Sequence, residues 1–205
     1  GFAESDYVFE DTYTTPAIHH GAIETHTAIA NFDAKGKLTV ISPNQNTFGT
    51  RIILSRIFGL PMSRIRVITP GIGGAFGGKL EVTLEPIVAE LARQTGRPVK
   101  LTYNRKETMI STRTRHATVI TIKTGVKKDG TIVAQDFKVI SNTGAYGGSA
   151  RNVVGAMSGK VFKAYKIPNM RFTAYPVYTN TPSAGAMRGY GSPQAFFAQQ
   201  CQLLK

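Results

Sequence analysis

The sequence is short of several things that would have placed it quickly. It has one cysteine, Cys201, among 205 residues. That excludes an internal disulfide framework and a zinc site built on paired cysteines, and fits a reducing cytosol. No apolar run reaches the roughly 18 to 20 residues that cross a bilayer, and no basic, apolar and small-residue opening resembles a secretory signal. The chain reads as soluble and cytoplasmic, with no membrane partner. Acidic residues are scarce, 12 against 25 Lys and Arg, for a formal charge of +13. Runs of five or more like charges are absent as well. The basic residues stand singly or in pairs such as Lys127 and Lys128, and no RNA-binding aromatic motif appears, so the patterning argues against nucleic acid. The positive charge is expected to face a phosphate-bearing ligand or neighbouring protein.

What the chain does have is 41% hydrophobic residues, 21 glycines and 10 prolines, enough for the core of one large domain or two small ones. Gly21 to Asn31 and Leu38 to Ser42 read as a hairpin around Asp33-Ala34-Lys35-Gly36. Asn46 and Thr47 offer a helix N-cap, Ile52, Ile53, Ile57 and Phe58 an apolar face, and Gly59 a stop. Ile65 to Ile68 predicts a strand. Glu85-Pro86 opens a helix, with Ile87, Val88, Leu91 and Ala92 toward the core and Gly96 at its end. Val99 to Tyr103 resumes the sheet, and Arg105 to Ser111 reads as a helical turn or loop. Thr118 to Thr124 and Thr131 to Asn142 alternate around Lys128-Asp129-Gly130, the clearest hairpin of the chain. Arg171 to Tyr178 predicts another strand, and Gln194 to Leu204 a helix entered through Pro193. The expected fold class is α+β, mixed sheets with helices, over a single domain 1–205. Gly1 opens the chain and the last helical pattern runs to Lys205, so both ends read as cut.

Glycines crowd the strand ends. Five of the eight residues from Gly71 to Gly78 are glycine, a density that is costly in unfolded-state entropy and lets the backbone approach a ligand closely. Gly73, Gly78 and Lys79 satisfy the first seven positions of a phosphate-binding loop. The eighth should be Ser or Thr to hold magnesium, and here it is Leu80, so nucleoside triphosphate hydrolysis is disfavoured. The dinucleotide glycine pattern fails because Phe76 stands at its third glycine. His19, His20, Glu24 and His26 form the one cluster of metal-ligand types. On a strand, His20, Glu24 and His26 would share a face, but only His116 lies downstream to complete a site, and backbone-bonded histidines are the commoner outcome. No nucleophile elbow or catalytic carboxylate pair is visible, and Cys201 reads as packing.

Five segments in order resemble one family. Gly73-Gly74-Ala75-Phe76-Gly77-Gly78-Lys79 is similar to the GGxFGGK loop of the molybdenum hydroxylases, the xanthine dehydrogenase and aldehyde oxidase family. His20 to His26 resembles its HxxxExH strand, and Gln45-Asn46-Thr47 its QNT segment. Gly96 to Lys100 with Asn104-Arg105 and Arg115-His116 resembles its GRPVxxxxxR and RH segments. Tyr165 to Asn169 with Met187 to Gln194 resembles YKIPN and FRGFGxPQ. Together they cover essentially the whole chain.

The resemblance implies the first molybdopterin cofactor-binding domain of a large subunit, with molybdenum held by the dithiolene of molybdopterin, often as its cytosine dinucleotide in bacteria. No residue would ligate the metal directly. Gly74, Ala75, Phe76, Gly77 and Gly78 would face the molybdenum ligands, Gln45 would hydrogen-bond one of them, Arg188 and Gly189 would bring amides near the pterin, and Tyr190 and Leu80 would face substrate. The family hydroxylates N-heterocycles or aldehydes with oxygen from water, and some members reduce aromatic thioesters. Electrons leave through iron–sulfur clusters and FAD on partner domains or subunits. The general-base glutamate lies downstream of the segments matched here, so no catalytic residue is expected within the chain, which alone would be inactive. Leu80 at the position of a purine-touching glutamate, and Ala156 near that of a purine-clamping arginine, argue against purine specificity. Gly189 in place of a cysteine argues against copper chemistry. The reading from another class is a noncatalytic phosphate- or nucleic-acid-binding module that uses the same glycine loops and basic charge.

Overall fold

The computed structural model describes residues 1–205, which form two compact units. One is continuous, His19–Thr112, and is called the inserted unit. The other, the discontinuous unit, is built from Gly1–Ile18 and Arg113–Lys205. Each has its own four-stranded sheet, so helices and strands are mixed throughout, as the α+β expectation has it.

In the inserted unit, β2 (Thr27–Phe32) and β3 (Leu38–Ile41) form the expected hairpin. Its turn is fastened by the Asp33 carboxylate, which accepts from the amides of Lys35 and Lys37 at 2.9 Å each. β4 (Ile65–Ile68) runs parallel to β3, and β5 (Val99–Thr102) antiparallel to β2, giving the order β4-β3-β2-β5. The parallel step needs a crossover, which α1 (Thr47–Phe58) supplies, and α2 (Glu85–Thr95) joins β4 to β5. Both helices end on a left-handed glycine, Gly59 and Gly96, where a side chain would be strained. Ala28 and Ala30 are fully buried on β2, and their small size lets α2 pack closely, with Leu54, Leu84, Val88 and Ala92 filling the core.

The helix faces differ from the sequence expectation. On α1 the buried residues are Thr50 and Leu54, while Ile52 and Ile57 are exposed; on α2 they include Val88, Ala89 and Ala92, while Ile87 and Leu91 are exposed. Apolar residues lie all round α1, so periodicity alone does not select its face; on α2 the apolar side is broad, and the close approach to the alanine strand selects its small residues. The segment Arg105–Ser111 is a true helix, α3, secured by a capping box in which Asn104 and Glu107 bond each other's backbone amides. His20 to His26 is not a strand. Gly21 takes φ +62°, which breaks extended pairing, and the segment instead lies along the glycine loop.

The discontinuous unit has the order β1-β6-β7-β8, from β1 (Tyr7–Thr15), β6 (Thr118–Val126), β7 (Ile132–Gly144) and β8 (Asn169–Tyr178). β6 and β7 are the hairpin expected around Asp129-Gly130, and β8 returns parallel to β7 after a helical crossover, α4 (Ala150–Ala164). With α5 (Ser192–Leu203), α4 covers one face of the sheet, burying Ile120, Ile122, Phe137, Val139, Met157 and Ala195. The opposite face carries the ion pairs Glu10–Lys123 and Asp136–Arg171. Neither β1 nor α4 is anticipated from sequence. β1 is largely exposed and polar, and α4 contains Gly155, Gly159 and three valines with no side-chain N-cap, which obscures the helical signal.

Candidate cofactor-binding loops

The first glycine loop leaves β4 and reaches α2, with Lys79 near its end. Its geometry follows from how the neighbouring segments satisfy its amides. The Glu24 carboxylate accepts from the Gly73 amide at 2.9 Å and from Lys79 Nζ at 2.5 Å, and the Glu24 amide donates to the Gly73 carbonyl. Gln45 Oε1 accepts from the amides of Gly77 at 3.0 Å and Lys79 at 3.3 Å, while its own amide donates to the Lys79 carbonyl. His26 Nε2 donates to the Gly78 carbonyl at 3.0 Å. Gly73 and Gly78 admit no larger residue, since an added Cβ would lie 2.7 Å from Glu24 Cβ or 2.9 Å from His20 Nδ1.

Against this tethering, three consecutive amides, those of Gly74, Ala75 and Phe76, have no acceptor within the chain. Phe76 is a non-glycine residue at φ +52°, between Gly74 at +100° two residues before it and Gly77 at +103° after it, and the residue is 47% exposed. A left-handed phenylalanine costs of the order of 1–3 kcal/mol and persists only where its surroundings fix it. Successive unsatisfied amides in such backbone form a concavity for electronegative atoms. Gln45 adds a donor. Two N–H groups converge on one end of its amide, which must therefore be the oxygen, so the NH2 end is left to point away from the loop.

Beneath the loop, Lys79 is buried with its ammonium on Glu24. Glu85 is buried too, held by Ser42 Oγ, Asn44 Nδ2 and the Thr83 amide. Burial pushes the His26 imidazole below its ordinary pKa, opposed by its bond to Gly78 and reinforced by nearby Lys79. The neutral ring is thus the form that donates to Gly78. His20, Glu24 and His26 do come together, but around the glycine loop: the Glu24 carboxylate is spent on Gly73 and Lys79, and the His26 donor on Gly78. Leu80 follows the loop, half-buried, its amide donating to the Gly77 carbonyl.

The second loop, Met187 to Gly191, opens α5 in the discontinuous unit. Its carbonyls, rather than its amides, are the groups that are held. Arg115 Nη2 donates to the Arg188 carbonyl at 2.7 Å, and Lys160 Nζ to the Gly189 carbonyl at 3.1 Å, where Ser192 Oγ also donates. Gly189 and Gly191 both take φ +88°, and Tyr190 takes +47°. A Cβ on Gly191 would lie 2.7 Å from the Val153 carbonyl and from Met157 Cγ. Tyr190 is half-buried against the core of its unit, and its amide donates to the Met187 carbonyl, closing a turn. The amides of Arg188 and Gly189 have no acceptor within the chain. Sequence reasoning places Arg115 in a motif but gives it no contact with this loop, because the partners lie 73 residues apart.

Each unit holds a loop of left-handed backbone with amides that have no acceptor in the chain, the kind of loop that suits a cofactor with electronegative atoms. Residues 1–204 match the family model of the molybdopterin cofactor-binding domain, and the chain belongs to that family. It is 38% identical over 200 residues to the xanthine dehydrogenase molybdenum-binding subunit of Escherichia coli, covering 97% of this chain and 27% of that subunit. It is 36% identical over 202 residues to the nicotinate dehydrogenase large molybdopterin subunit of Eubacterium barkeri, covering 98% of this chain and 48% of that one. Its fold is similar to that of the aldehyde oxidoreductase from Desulfovibrio gigas, with a TM-score of 0.92 and 30% identity over 96% of this chain and 22% of that one. The chain therefore spans between about a fifth and a half of the length of these relatives. No helix is long and apolar enough to cross a membrane.

Proposed function

We propose that the chain is the molybdopterin-binding portion of a larger molybdenum hydroxylase that hydroxylates an N-heterocycle or aldehyde. The observation that carries this is the Gly73–Lys79 loop, in which Glu24, Gln45 and the loop's own Ala75 carbonyl satisfy every amide except the three of Gly74, Ala75 and Phe76. Such a loop fits a group bearing several electronegative atoms, since donors fixed before binding cost little reorganisation. Gln45, Gly74, Ala75, Phe76, Gly77 and Gly78 in the inserted unit, and Arg188 and Gly189 in the discontinuous unit, are assigned to cofactor binding. When bound, molybdenum–molybdopterin supplies oxygen transfer from water and takes up the electrons. The chain's own residues do the rest of what is assigned here. Gln45 donates its NH2 hydrogens, Phe76 shields the loop from water, and Lys79 with Glu24 keeps the loop rigid.

Leu80 and Tyr190 are assigned to the substrate side. Leu80 offers no carboxylate to a purine, which favours substrates recognised by shape and apolar contact. The catalytic base, the remaining molybdenum-domain segment, and the iron–sulfur and FAD domains or subunits are assigned to parts beyond this chain, in an enzyme of the cytoplasm. Molybdenum analysis of the complete subunit, purified together with its partners, tests the reading. Near-stoichiometric molybdenum, lost in Gln45→Ala and Gly77→Val, is expected. Metal-free protein that binds arbitrary RNA in a salt-sensitive way would support the noncatalytic module instead.

A further inference from the structure

The inserted unit pairs its buried cation, Lys79, with a carboxylate, but Arg115 in the discontinuous unit has none. Its side chain is 9% exposed, and its two bonded partners are neutral oxygens: the Arg188 carbonyl at 2.7 Å and Gln194 Oε1 at 3.1 Å. Burying a guanidinium without a counter-ion is expensive, and a neutral donor would bridge the same atoms at lower cost. Joining α5 to the segment before β6 does not require the charge either. Gln194 Nε2 already donates to the His116 carbonyl at 3.2 Å, and the Thr114 carbonyl already accepts from the Gly185 amide at 2.9 Å. What the guanidinium alone does is hold the Arg188 carbonyl.

A trans peptide is planar, so its carbonyl and the next residue's N–H point in opposite directions. With the Arg188 carbonyl turned inward onto Arg115, the Gly189 N–H must turn outward. Gly189 is exposed, its amide has no acceptor in the chain, and its own carbonyl is held from the following side by Lys160 and Ser192. Its φ of +88° is open to glycine and strained for other residues, and a Cβ there would strike Pro193 Cγ at 2.6 Å. The peptide is thus clamped at both ends. Resting on the reading proposed above, we infer that Arg115 is a positioning residue that aims the Gly189 N–H outward as a fixed, positively biased donor to the molybdopterin group.

The test uses the complete subunit with its partners, as wild type, Arg115→Met and Arg115→Lys. Three readouts are taken: the rate of molybdenum loss on dialysis, the electron paramagnetic resonance spectrum of the molybdenum(V) state, and thermal unfolding of the metal-free protein. Arg115→Met is expected to lose molybdenum about tenfold faster, the size of one charge-assisted hydrogen bond. Its resonance spectrum shifts while its unfolding midpoint stays level or rises. Arg115→Lys restores retention to within about threefold of wild type. A Met variant that keeps molybdenum and spectrum as wild type overturns the inference. So does one whose only change is a lower unfolding midpoint. Should the Met variant not fold, Arg115→Gln is read the same way, and failure of both to fold makes the role structural and overturns the proposal. Wild-type protein without molybdenum overturns the cofactor reading itself, whereas loaded wild type beside an unaffected Met variant overturns this inference alone.

Discussion

The two loops solve one problem by opposite means. In the inserted unit the chain grips amides: Glu24 and Gln45 supply oxygens to Gly73, Gly77 and Lys79, and the three amides at the tip are left over. In the discontinuous unit it grips carbonyls: Arg115 and Lys160 donate to the carbonyls of Arg188 and Gly189, and the Gly189 N–H, which shares a peptide with the Arg188 carbonyl, is turned outward as a consequence. The first method uses side-chain acceptors and pairs its buried cation, Lys79, with a carboxylate. The second uses cationic donors and leaves its buried cation, Arg115, on neutral oxygens alone. Both present N–H groups, but they place charge differently, and substitutions at equivalent positions should therefore have different consequences.

The largest effect is expected where the second loop meets its own core. Gly191→Ala forces a side chain into left-handed backbone and against a backbone carbonyl that cannot rotate away, a combined cost of about 3–5 kcal/mol. Thermal or denaturant unfolding should show it, and an alanine variant within about 1 kcal/mol of wild type would mean that the loop is not fixed as described. Next comes the contrast between the buried cations. Lys79→Met strands the Glu24 carboxylate, which is partly exposed, so about 2–3 kcal/mol should be lost, below the full cost for a buried pair. Arg115→Met strands only neutral oxygens and should change stability by less than about 1 kcal/mol. Equal losses in the two variants would erase the distinction between the loops.

A smaller loss is expected from Gln45→Ala. Two loop amides lose their acceptor, but Gln45 is exposed and water can replace it, so about 1 kcal/mol of stability goes. Molybdenum retention in the complete subunit should fall more than stability does, since the outward NH2 is removed as well. A variant that loses stability and retains metal as wild type would make Gln45 a brace for the loop and nothing more.

How much of this is readable in sequence follows from the same contrast. The first loop announces itself, because five glycines in eight residues have few explanations and the strand and helix on either side carry ordinary signals. Its tethers do not. Glu24 and His26 look like metal ligands on a strand, and only the fold shows that Gly21 breaks the strand and that their polar atoms serve the loop. The second loop is visible through its resemblance to a family segment, but the Arg115 contact spans 73 residues and has no local signature. Helix α4 is obscured by its glycines and valines; burial of Val153, Val154 and Val161 in the core outweighs the poor helical propensity of both. Local chemistry was legible, then, wherever one segment makes a feature, and illegible wherever two distant segments make it together.

Acid provides the gentlest way to separate the loops. His26 lies under the first loop, facing the Gly78 carbonyl, Lys79, Glu85 and His19, and burial lowers its pKa; His19, in the same unit, is lowered for the same reason. An unfolded histidine titrates near 6.5, so between that value and the lower folded one the unfolded chain binds more protons. Stability from these residues is therefore complete above about pH 6.5 and is lost as pH falls below it. In the discontinuous unit, Asp136 is held below the usual carboxylate range by Arg171, so its contribution is lost only as pH falls through that depressed value. Amide hydrogen exchange, corrected for the intrinsic pH dependence and compared at pH 7.5 and 5.5, should show weakened protection in β2 and α2, with the β7–β8 pairing around Asp136 and Arg171 unchanged. Equal weakening in both would place the acid-sensitive group elsewhere and remove the electrostatic part of the contrast. His26→Gln, which keeps an N–H donor for Gly78 but cannot gain a proton, should flatten the response of the inserted unit without unfolding it.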